Sequence, residues 1–302
     1  MNNNFKISII IPYYNGESFY HHLLSSIRKS LETCFQFGYN YELITIIDSV
    51  ETHEEAVVQI ANAAFKDMPS VNIVIKKNDN NIGVAGSRNV ALTIAKGEFI
   101  HIIDQDDLVS VDFYSKVISL LFKYNFVLVN GEIRYTSKKF NTHKLYYFKP
   151  LLNINGLLKD DYIRSPGQIV FSKNLCNQLW FPEPKKYKGT DDRFFWICLF
   201  LINKSTIEPI YLADPVYIAN IHDNNYSSDK VNLRKSALES WVIIQKQVNL
   251  DEYKRLVIND QIRLTYLLKD KVSYVKRIKG GYLSLQYFLK PNKVLRFLIK
   301  RI

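Results

Sequence analysis

The sequence predicts an α/β fold in which a mostly parallel sheet is covered by helices on both faces. Short apolar runs alternate with segments of helical period through the first 130 residues. The runs have the length of buried strands, and the segments between them repeat apolar residues at the spacing of an amphipathic helix. This alternation is typical of a parallel sheet, because each connecting helix must pack on the sheet that it crosses.

Each element of this first part can be placed in order. Five apolar runs are the expected strands: Ile7–Ile11, Leu43–Ile47, Val71–Ile75, Phe99–Ile103 and Phe126–Val129. Four segments between them are the expected helices: Phe19–Leu31, Glu54–Phe65, Ala85–Ala95 and Asp112–Phe122. Ligands of such sheets bind beyond the carboxyl ends of the strands, so polar residues at those ends are the candidates for a site.

The pattern loosens after residue 135, and the remaining elements are shorter. We expect a helix from Thr190 to Ile202, a strand over Tyr211–Ile221, and helices from Asn232 to the end of the sequence. Thr190 is a favourable N-cap residue for the first of these helices. The chain is therefore predicted to consist of a main domain over residues 1–228 and a helical region over residues 229–302.

Composition limits the class of protein. The 302 residues are 47% apolar and include 18 Phe and 20 Tyr, which is enough for a large core. Cys34, Cys176 and Cys198 have neither paired nor metal-ligand spacing, so we expect reduced thiols in a cytoplasmic protein. Residues 1–4 lack the basic start of a secretory signal. The longest apolar run, Phe194–Ile202, is far shorter than the ~18–20 residues that span a bilayer.

The net charge of +11 lies entirely in the last sixth of the sequence. Residues 254–302 hold 13 Lys and Arg against two Asp, whereas residues 1–253 are balanced. In the final segment Leu295, Leu298 and Ile302 share one helical face, and basic residues lie on another. Such a helix suits the inner face of a cytoplasmic membrane with anionic lipid better than it suits nucleic acid. The alternative is a solvated helix that packs on the main domain.

The run Asp104-Gln105-Asp106-Asp107 directly follows the fourth predicted strand. Three adjacent carboxylates repel one another, and a divalent cation such as Mn²⁺ or Mg²⁺ would offset that repulsion. The same metal could hold the phosphates of a substrate and stabilise a diphosphate leaving group. The alternative is a turn that caps the helix near Asp112. Aromatic, acidic and basic residues at the other strand ends favour the metal site.

Five motifs together resemble the inverting family 2 glycosyltransferases of the GT-A fold, a Rossmann-like fold. The resemblance covers roughly residues 5 to 225, and the motifs follow the order and spacing of that family. They are Ile9-Ile10-Ile11-Pro12-Tyr13-Tyr14-Asn15, Glu42-Leu43-Ile44 with Asp48, Asn81-Ile82-Gly83-Val84-Ala85-Gly86-Ser87-Arg88-Asn89, Gly97-Glu98-Phe99-Ile100 running into Asp104-Gln105-Asp106-Asp107, and Gly189-Thr190-Asp191-Asp192-Arg193-Phe194-Phe195-Trp196.

The resemblance implies a nucleotide site in the first half of the main domain, at about residues 1–110. Tyr14 and Asp48 match the residues that stack on and hydrogen-bond the nucleotide base, and Pro12 belongs to the same motif. Arg88 matches a basic residue of the nucleotide pocket, and Asp104 matches the first Asp of the D-x-D motif, near the ribose. Relatives often have two Asp after the second strand, but here only Asp48 precedes Ser49.

The resemblance also implies a metal and a general base. Asp106 matches the metal-binding Asp of the motif, and His222 could bind the metal or contact the diphosphate. The acceptor half is expected over residues 111–228, where Asp191 and Asp192 match the general base. The motif around Asp191 gives it a slight preference over Asp192. The alternative for this pair is two acids stabilised by the dipole of a helix N-terminus.

The implied activity is transfer of a sugar from a nucleotide-diphosphate donor, with a UDP-sugar favoured, to a hydroxyl of a glycan or glycolipid acceptor. Family resemblance further suggests assembly of a bacterial surface polysaccharide. A dinucleotide-dependent oxidoreductase would need a Gly-x-Gly-x-x-Gly turn after the first strand, which is missing. A sugar nucleotidyltransferase would need a Gly-rich loop with Arg and Lys there, also missing. A non-catalytic nucleotide- or carbohydrate-binding module stays open.

Overall fold

The computed structural model describes residues 5–135, 142–160, 162–184, 186–187, 189–222 and 229–268. The strands are β1 (Phe5–Tyr13), β2 (Asn40–Ile47), β3 (Val71–Lys77), β4 (Phe99–Ile102), β5 (Leu108–Val109), β6 (Phe126–Tyr135), β7 (Thr142–Lys144), β8 (Ile169–Ser172) and β9 (Pro209–Ile221). The helices are α1 (Glu17–Glu32), α2 (Glu54–Ala64), α3 (Gly83–Ile94), α4 (Phe113–Leu121), α5 (Ile154–Asp160), α6 (Asp191–Ile202), α7 (Lys230–Ile244) and α8 (Lys254–Leu268). The predicted α/β fold is confirmed.

The strands form one sheet in the order β3-β2-β1-β4-β8-β6-β9-β5, with β7 paired to β6. Strands β3, β2, β1 and β4 are parallel, so their carboxyl ends meet at one edge. Strand β8 was not predicted from the sequence. It runs antiparallel between β4 and β6, in the part of the chain after residue 135 where the alternation of strand and helix patterns is lost.

Successive residues of the central strands point to opposite faces of the sheet, and each face has its own apolar core. Ile9 and Ile11 of β1 pack with α1, α2 and α4 on one face. Ile10 and Ile44 pack with α3 and α6 on the other face. The central strands are therefore buried on both faces, which is why they read as continuous apolar runs in the sequence.

Helices α7 and α8 pack against α6, so the helical region predicted from residue 229 is in contact with the main domain. The indole of Trp241 meets Phe194 edge-on at 4.9 Å between ring centroids. Asp260 of α8 accepts hydrogen bonds from Arg193 Nη1 at 3.1 Å and from Trp241 Nε1 at 3.0 Å. A buried carboxylate with a cation and an indole donor fixes the packing of these helices.

Some local predictions are refined by the structure. Thr190 is at the N-cap position of α6, but its hydroxyl bonds Ser236 Oγ at 2.8 Å and does not cap the helix. The three cysteines are free, as predicted. None of the described helices has the length and hydropathy of a membrane span. The basic amphipathic segment near residues 280–302 lies outside the described residues, so its membrane role stays a prediction.

His101 is fully buried in β4 and is neutral. Its Nε2 donates to Gly167 O at 3.0 Å, because a carbonyl can only accept, and its Nδ1 then accepts from Tyr114 Oη at 2.9 Å. Burial lowers the pKa of His101 to about 4. The unfolded chain therefore binds a proton at His101 more tightly than the folded protein does.

We expect the free energy of unfolding to fall as the pH drops from about 6.5, the unfolded pKa of His, to about 4. In that window the unfolded chain binds more protons, so His101 contributes of order 3 kcal/mol of pH dependence. Urea unfolding at several pH values measures this slope. His101→Asn should flatten it, whatever its effect on stability at pH 7. An unchanged slope in the variant would contradict the buried, neutral assignment.

Candidate active site

Arg88 lies at the centre of the polar edge of the sheet. Its guanidinium extends from α3, is 4% exposed, and bridges two carboxylates. Nη2 is 2.5 Å from Asp104 Oδ1, and Nη1 is 2.6 Å from Asp191 Oδ2. Burial alone would lower the pKa of Arg88, but the nearby carboxylates outweigh it and raise that pKa. Arg88 thus joins the loop after β4 to the first turn of α6.

The two acids of α6 have different surroundings. Asp191 is 3% exposed and directs its carboxylate at Arg88. Asp192 is partly exposed, and its Oδ1 accepts from the backbone N–H of Arg193 at 2.7 Å. Both lie in the first turn of the helix, where the backbone dipole favours negative charge. The family resemblance matched both residues to the general base, with a slight preference for Asp191, and the structure shows Asp191 in an ion pair with Arg88.

The three acids of the loop after β4 also differ. Asp104 pairs with Arg88, whereas Asp106 Oδ2 lies 2.9 Å from His222 Nε2 at the end of β9. The ring of Phe19 stacks on His222 at 5.0 Å. Burial and then the charge of Asp104 raise the pKa of Asp106, and the His222 contact opposes this. Asp106 and His222, the two residues expected to hold a metal, therefore lie within hydrogen-bond distance of each other.

Asp107 has different partners from the other two acids and anchors the loop to β9. Its Oδ2 accepts from Tyr217 Oη and from Ser165 Oγ, and its Oδ1 accepts from the Asn220 N–H at 3.1 Å. Burial, followed by the charges of Asp106 and Asp104, raises the pKa of Asp107 well above its usual range. No local signal in the sequence separates this anchor from the two acids that precede it.

Asp48, predicted to hydrogen-bond the nucleotide base, holds the start of α3. Its Oδ1 accepts from the Ile82 N–H at 2.9 Å and from Asn78 Nδ2 at 2.8 Å. Its Oδ2 accepts from the Gly83 N–H at 2.7 Å, and the residue is 5% exposed. A carboxylate at a helix N-terminus satisfies backbone donors that the helix leaves open. Asp48 therefore positions the helix that carries Arg88.

Tyr14 and Pro12 lie at the end of β1, beside Asp48. Pro12 is buried in the strand, where it pairs in register with Ile46 of β2. Tyr14 is 54% exposed, so its side chain is accessible to a ligand from solvent. Of the predicted nucleotide residues, Tyr14 is thus the one most accessible from solvent.

Within the described residues, no three side chains of His, Cys, Asp or Glu come together as a ready metal cluster. The contacts above give the reason, because Asp104 faces Arg88 and Asp107 faces Tyr217. Asp106 and His222 remain as a pair of one carboxylate and one imidazole. Mn²⁺ accepts both kinds of ligand, and such metals commonly complete their shell with substrate phosphates. The pair fits a metal held jointly by protein and substrate.

Comparison with known proteins identifies the family. The model of "Glycosyl transferase family 2" matches residues 8–180. This chain belongs to that family. The matched residues include the loop after β4 and Arg88, and the acidic pair of α6 follows them in the chain. The glycosyltransferase therefore carries Asp191, the partner of Arg88 in α6, beyond the segment that the family model describes.

Two curated relatives align with most of the glycosyltransferase. An uncharacterized glycosyltransferase of Haemophilus influenzae is 26% identical over 251 residues, which are 83% of this chain and 92% of the relative. The Escherichia coli UDP-Glc:alpha-D-GlcNAc-diphosphoundecaprenol beta-1,3-glucosyltransferase WfgD is 25% identical over 280 residues, which are 92% of this chain and 97% of the relative.

Solved structures show the same fold. Staphylococcus aureus TarS 1-349 in complex with UDP-GlcNAc has a TM-score of 0.64 at 18% identity, covering 93% of this chain and 81% of that one. The mannosyltransferase PcManGT of Pyrobaculum calidifontis, in complex with GDP-Man and Mn²⁺, has a TM-score of 0.56 at 15% identity, covering 98% of this chain and 84% of that one. The GT-A fold of the glycosyltransferase agrees with these similarities.

Replacing Arg88 tests how much this bridge contributes. Arg88→Met keeps most of the side-chain volume but leaves buried Asp191 without its cation, so we expect a loss of about 3 kcal/mol in the free energy of unfolding. Arg88→Lys should recover part of this loss, because one ammonium cannot make both guanidinium contacts. Urea unfolding at pH 7 measures both variants.

The matched control is Arg28→Met, which removes the more exposed ion pair between Arg28 and Glu32 of α1 and one hydrogen bond from Arg28 Nη1 to Ala64 O. Such pairs contribute less than about 1 kcal/mol. Equal effects at the two positions would contradict a central role for Arg88.

Proposed function

We propose that this glycosyltransferase moves a sugar from a nucleoside diphosphate donor, with a UDP-sugar as the first candidate, to a hydroxyl of a glycan or lipid-linked glycan, inverting the anomeric centre. The observation that carries the proposal is the Arg88 bridge, which brings an acid of the D-x-D motif and an acid of α6 to one edge of the sheet. The names of WfgD and the UDP-GlcNAc complex of TarS support the donor class.

The donor would lie along this edge with its base against the exposed ring of Tyr14. Pro12 and Asp48 would shape the base pocket from β1 and β2. Because Asp48 already accepts three hydrogen bonds, it would act mainly by fixing α3 and Arg88. Asp104, held by Arg88, would face the ribose. The nucleotide would thus run from the end of β1 toward the loop after β4.

A divalent cation is proposed at Asp106 and His222, where it would neutralise charge on the leaving diphosphate. The charge balance of the edge supports this assignment. The charges of Asp104, Asp191 and Asp192 all act on Arg88, and Asp106 lies close enough to Asp104 to feel its charge. A diphosphate brings further negative charge, so its binding there needs a compensating cation.

Asp192 is the proposed general base. Asp191 is buried and committed to Arg88, whereas Asp192 is partly exposed on the same helical turn and can approach an incoming hydroxyl. In the reaction the acceptor oxygen forms a bond to the anomeric carbon as the bond from that carbon to the diphosphate oxygen breaks. The proton of the acceptor hydroxyl passes to the Asp192 carboxylate. Arg88 and Asp191 hold the turn in place.

A lipid-linked acceptor, such as the alpha-D-GlcNAc-diphosphoundecaprenol for which WfgD is named, would bring the enzyme to the inner face of the cytoplasmic membrane. The basic residues of the segment 254–302 would then bind anionic lipid. Sedimentation with anionic and with neutral vesicles tests this placement, which predicts binding to the anionic vesicles alone.

Substituting the acidic pair separates catalysis from structure. Asp192→Asn should keep stability and nucleotide binding but lower kcat by about 10²–10⁴-fold, because the proton acceptor is lost. Asp191→Asn should instead lower the free energy of unfolding, because buried Arg88 loses one of its two partners. Kinetics with a lipid-linked glycan acceptor, together with urea unfolding, measure both effects.

The control is Asp112→Asn at the start of α4, which should leave kcat unchanged. Anomeric NMR of the product should show a β-linkage from an α-linked donor. A retained configuration would overturn the mechanism. Nucleotide binding without turnover by the wild type would favour the non-catalytic binding module.

Thermal unfolding with nucleotides tests the donor and the metal. UDP with Mn²⁺ should raise Tm more than either alone, since a ligand at one hundred times its Kd adds about 2.7 kcal/mol. Asp106→Asn should keep the response to UDP and lose the increment from Mn²⁺. GDP and CDP in parallel identify the preferred base. If none of the three nucleotides shifts the wild type, the donor site is wrongly assigned.

A further inference from the structure

Gln105 is a residue of the D-x-D loop to which the proposed chemistry assigns no role. Its side-chain amide contacts the backbone of Tyr14, which follows β1. Tyr14 N–H donates to Gln105 Oε1 at 2.8 Å, and Gln105 Nε2 donates to Tyr14 O at 2.9 Å. The amide therefore makes the same pair of hydrogen bonds that a neighbouring strand would make.

This contact continues the sheet past the point where its backbone pairing ends. Strands β1 and β4 pair in parallel from Ile7 to Ile10, and a further backbone bond joins Ile103 N to Ile10 O at 2.9 Å. Beyond Ile103 the two segments separate, one into the loop that begins at Tyr14 and the other into the acidic loop Asp104–Asp107. The Gln105 amide then joins these loops at the height of Tyr14.

The residues after Tyr14 are shaped around this amide. A side chain at Gly16 would overlap the Gln105 amide, so a glycine is required for the close approach. Asn15 has a φ of 46°, in the left-handed region that Asn tolerates better than most residues. The loop thus bends around Gln105 with the ring of Tyr14 exposed. The glycine at position 16, the left-handed backbone of Asn15 and the Gln105 hydrogen bonds therefore all fit the same loop conformation.

We propose that Gln105 is a positioning residue that sets the distance between the base-binding ring of Tyr14 and the carboxylates of Asp104 and Asp106. The two acids flank Gln105 in the chain and are fixed by Arg88 and His222. A nucleotide donor carries its base and its diphosphate in one molecule. The amide therefore determines how far Tyr14, which would bind the base, lies from the acids near the diphosphate. This inference rests on the proposed donor site and adds to it a residue that holds the backbone of the base-binding Tyr14 beside the acidic loop.

The test uses Gln105→Met, which keeps the length of the side chain and removes both hydrogen bonds. We expect Kd for UDP and KM for the donor to rise roughly tenfold, which corresponds to losing about one net hydrogen bond. The value of kcat at saturating donor should stay within about twofold, because the reacting groups are untouched. Hydrogen exchange at the Tyr14 amide should become faster in the variant, because its acceptor is gone.

A double-mutant cycle asks whether Gln105 acts through Tyr14. Tyr14→Ala alone should weaken UDP binding, and Gln105→Met should add less than about threefold in that background. Gly16→Ala, which displaces the amide without changing Gln105, should reproduce the Gln105→Met effect. Gln59→Met on the exposed face of α2 is the matched control and should leave Kd and KM unchanged.

The outcomes separate this inference from the proposed function. Wild-type affinity in Gln105→Met overturns the inference and leaves the donor site intact. If Gln105→Met weakens UDP binding equally in the wild type and in the Tyr14→Ala background, the inference is also overturned, since Gln105 would then act independently of the Tyr14 ring. A wild type that binds no nucleoside diphosphate overturns the donor site and this inference together.

Discussion

The arrangement of the site depends on the buried guanidinium of Arg88. It is the point where three separate parts of the chain meet: α3, the loop after β4 and the first turn of α6. The ring of Phe181 lies 5.4 Å from the guanidinium carbon and helps to desolvate it. In such an environment a single missing partner would leave an uncompensated charge, so the three parts are held in one geometry.

The position of Arg88 is itself set from the sheet. Asp48 at the end of β2 accepts two backbone N–H groups at the start of α3, and so fixes that end of the helix against the strands. Asp48 was expected to hydrogen-bond the nucleotide base, and in the structure it orients the helix that carries the Arg88 guanidinium. The two roles are compatible, since a carboxylate has more than three acceptor positions.

Adjacent residues of the acidic loop have different surroundings and make different contacts. Asp104 and Asp106 face the polar edge, whereas Asp107 is buried against Tyr217 and gives the loop a rigid base. Between them Gln105 holds the Tyr14 loop. In α6, Arg193 follows the acidic pair and is held by Asp260 of α8. Helix α8 therefore supports the site indirectly, through its contact with Arg193.

The sequence by itself determined five strands and four helices of the first 130 residues and the edge of the sheet at which the candidate site lies. Both follow from local information: the spacing of apolar residues fixes strand and helix, and parallel strands place their carboxyl ends together. The charged residues after those strands, including Arg88 and Asp104–Asp107, were therefore identifiable as one candidate site. The short strand β8 was missed because it lies after residue 135, where helices and strands no longer alternate regularly.

Only the tertiary structure decided which charge meets which. Asp191 lies 103 positions from Arg88, and Asp107 lies 110 positions from Tyr217. These pairings depend on how α6 and β9 return to the sheet, and no local pattern records that path. Asp191 and Asp192 are alike in sequence, as are Asp106 and Asp107. Burial and the partner brought by the fold distinguish them, because a carboxylate in low dielectric takes its role from the nearest cation or donor.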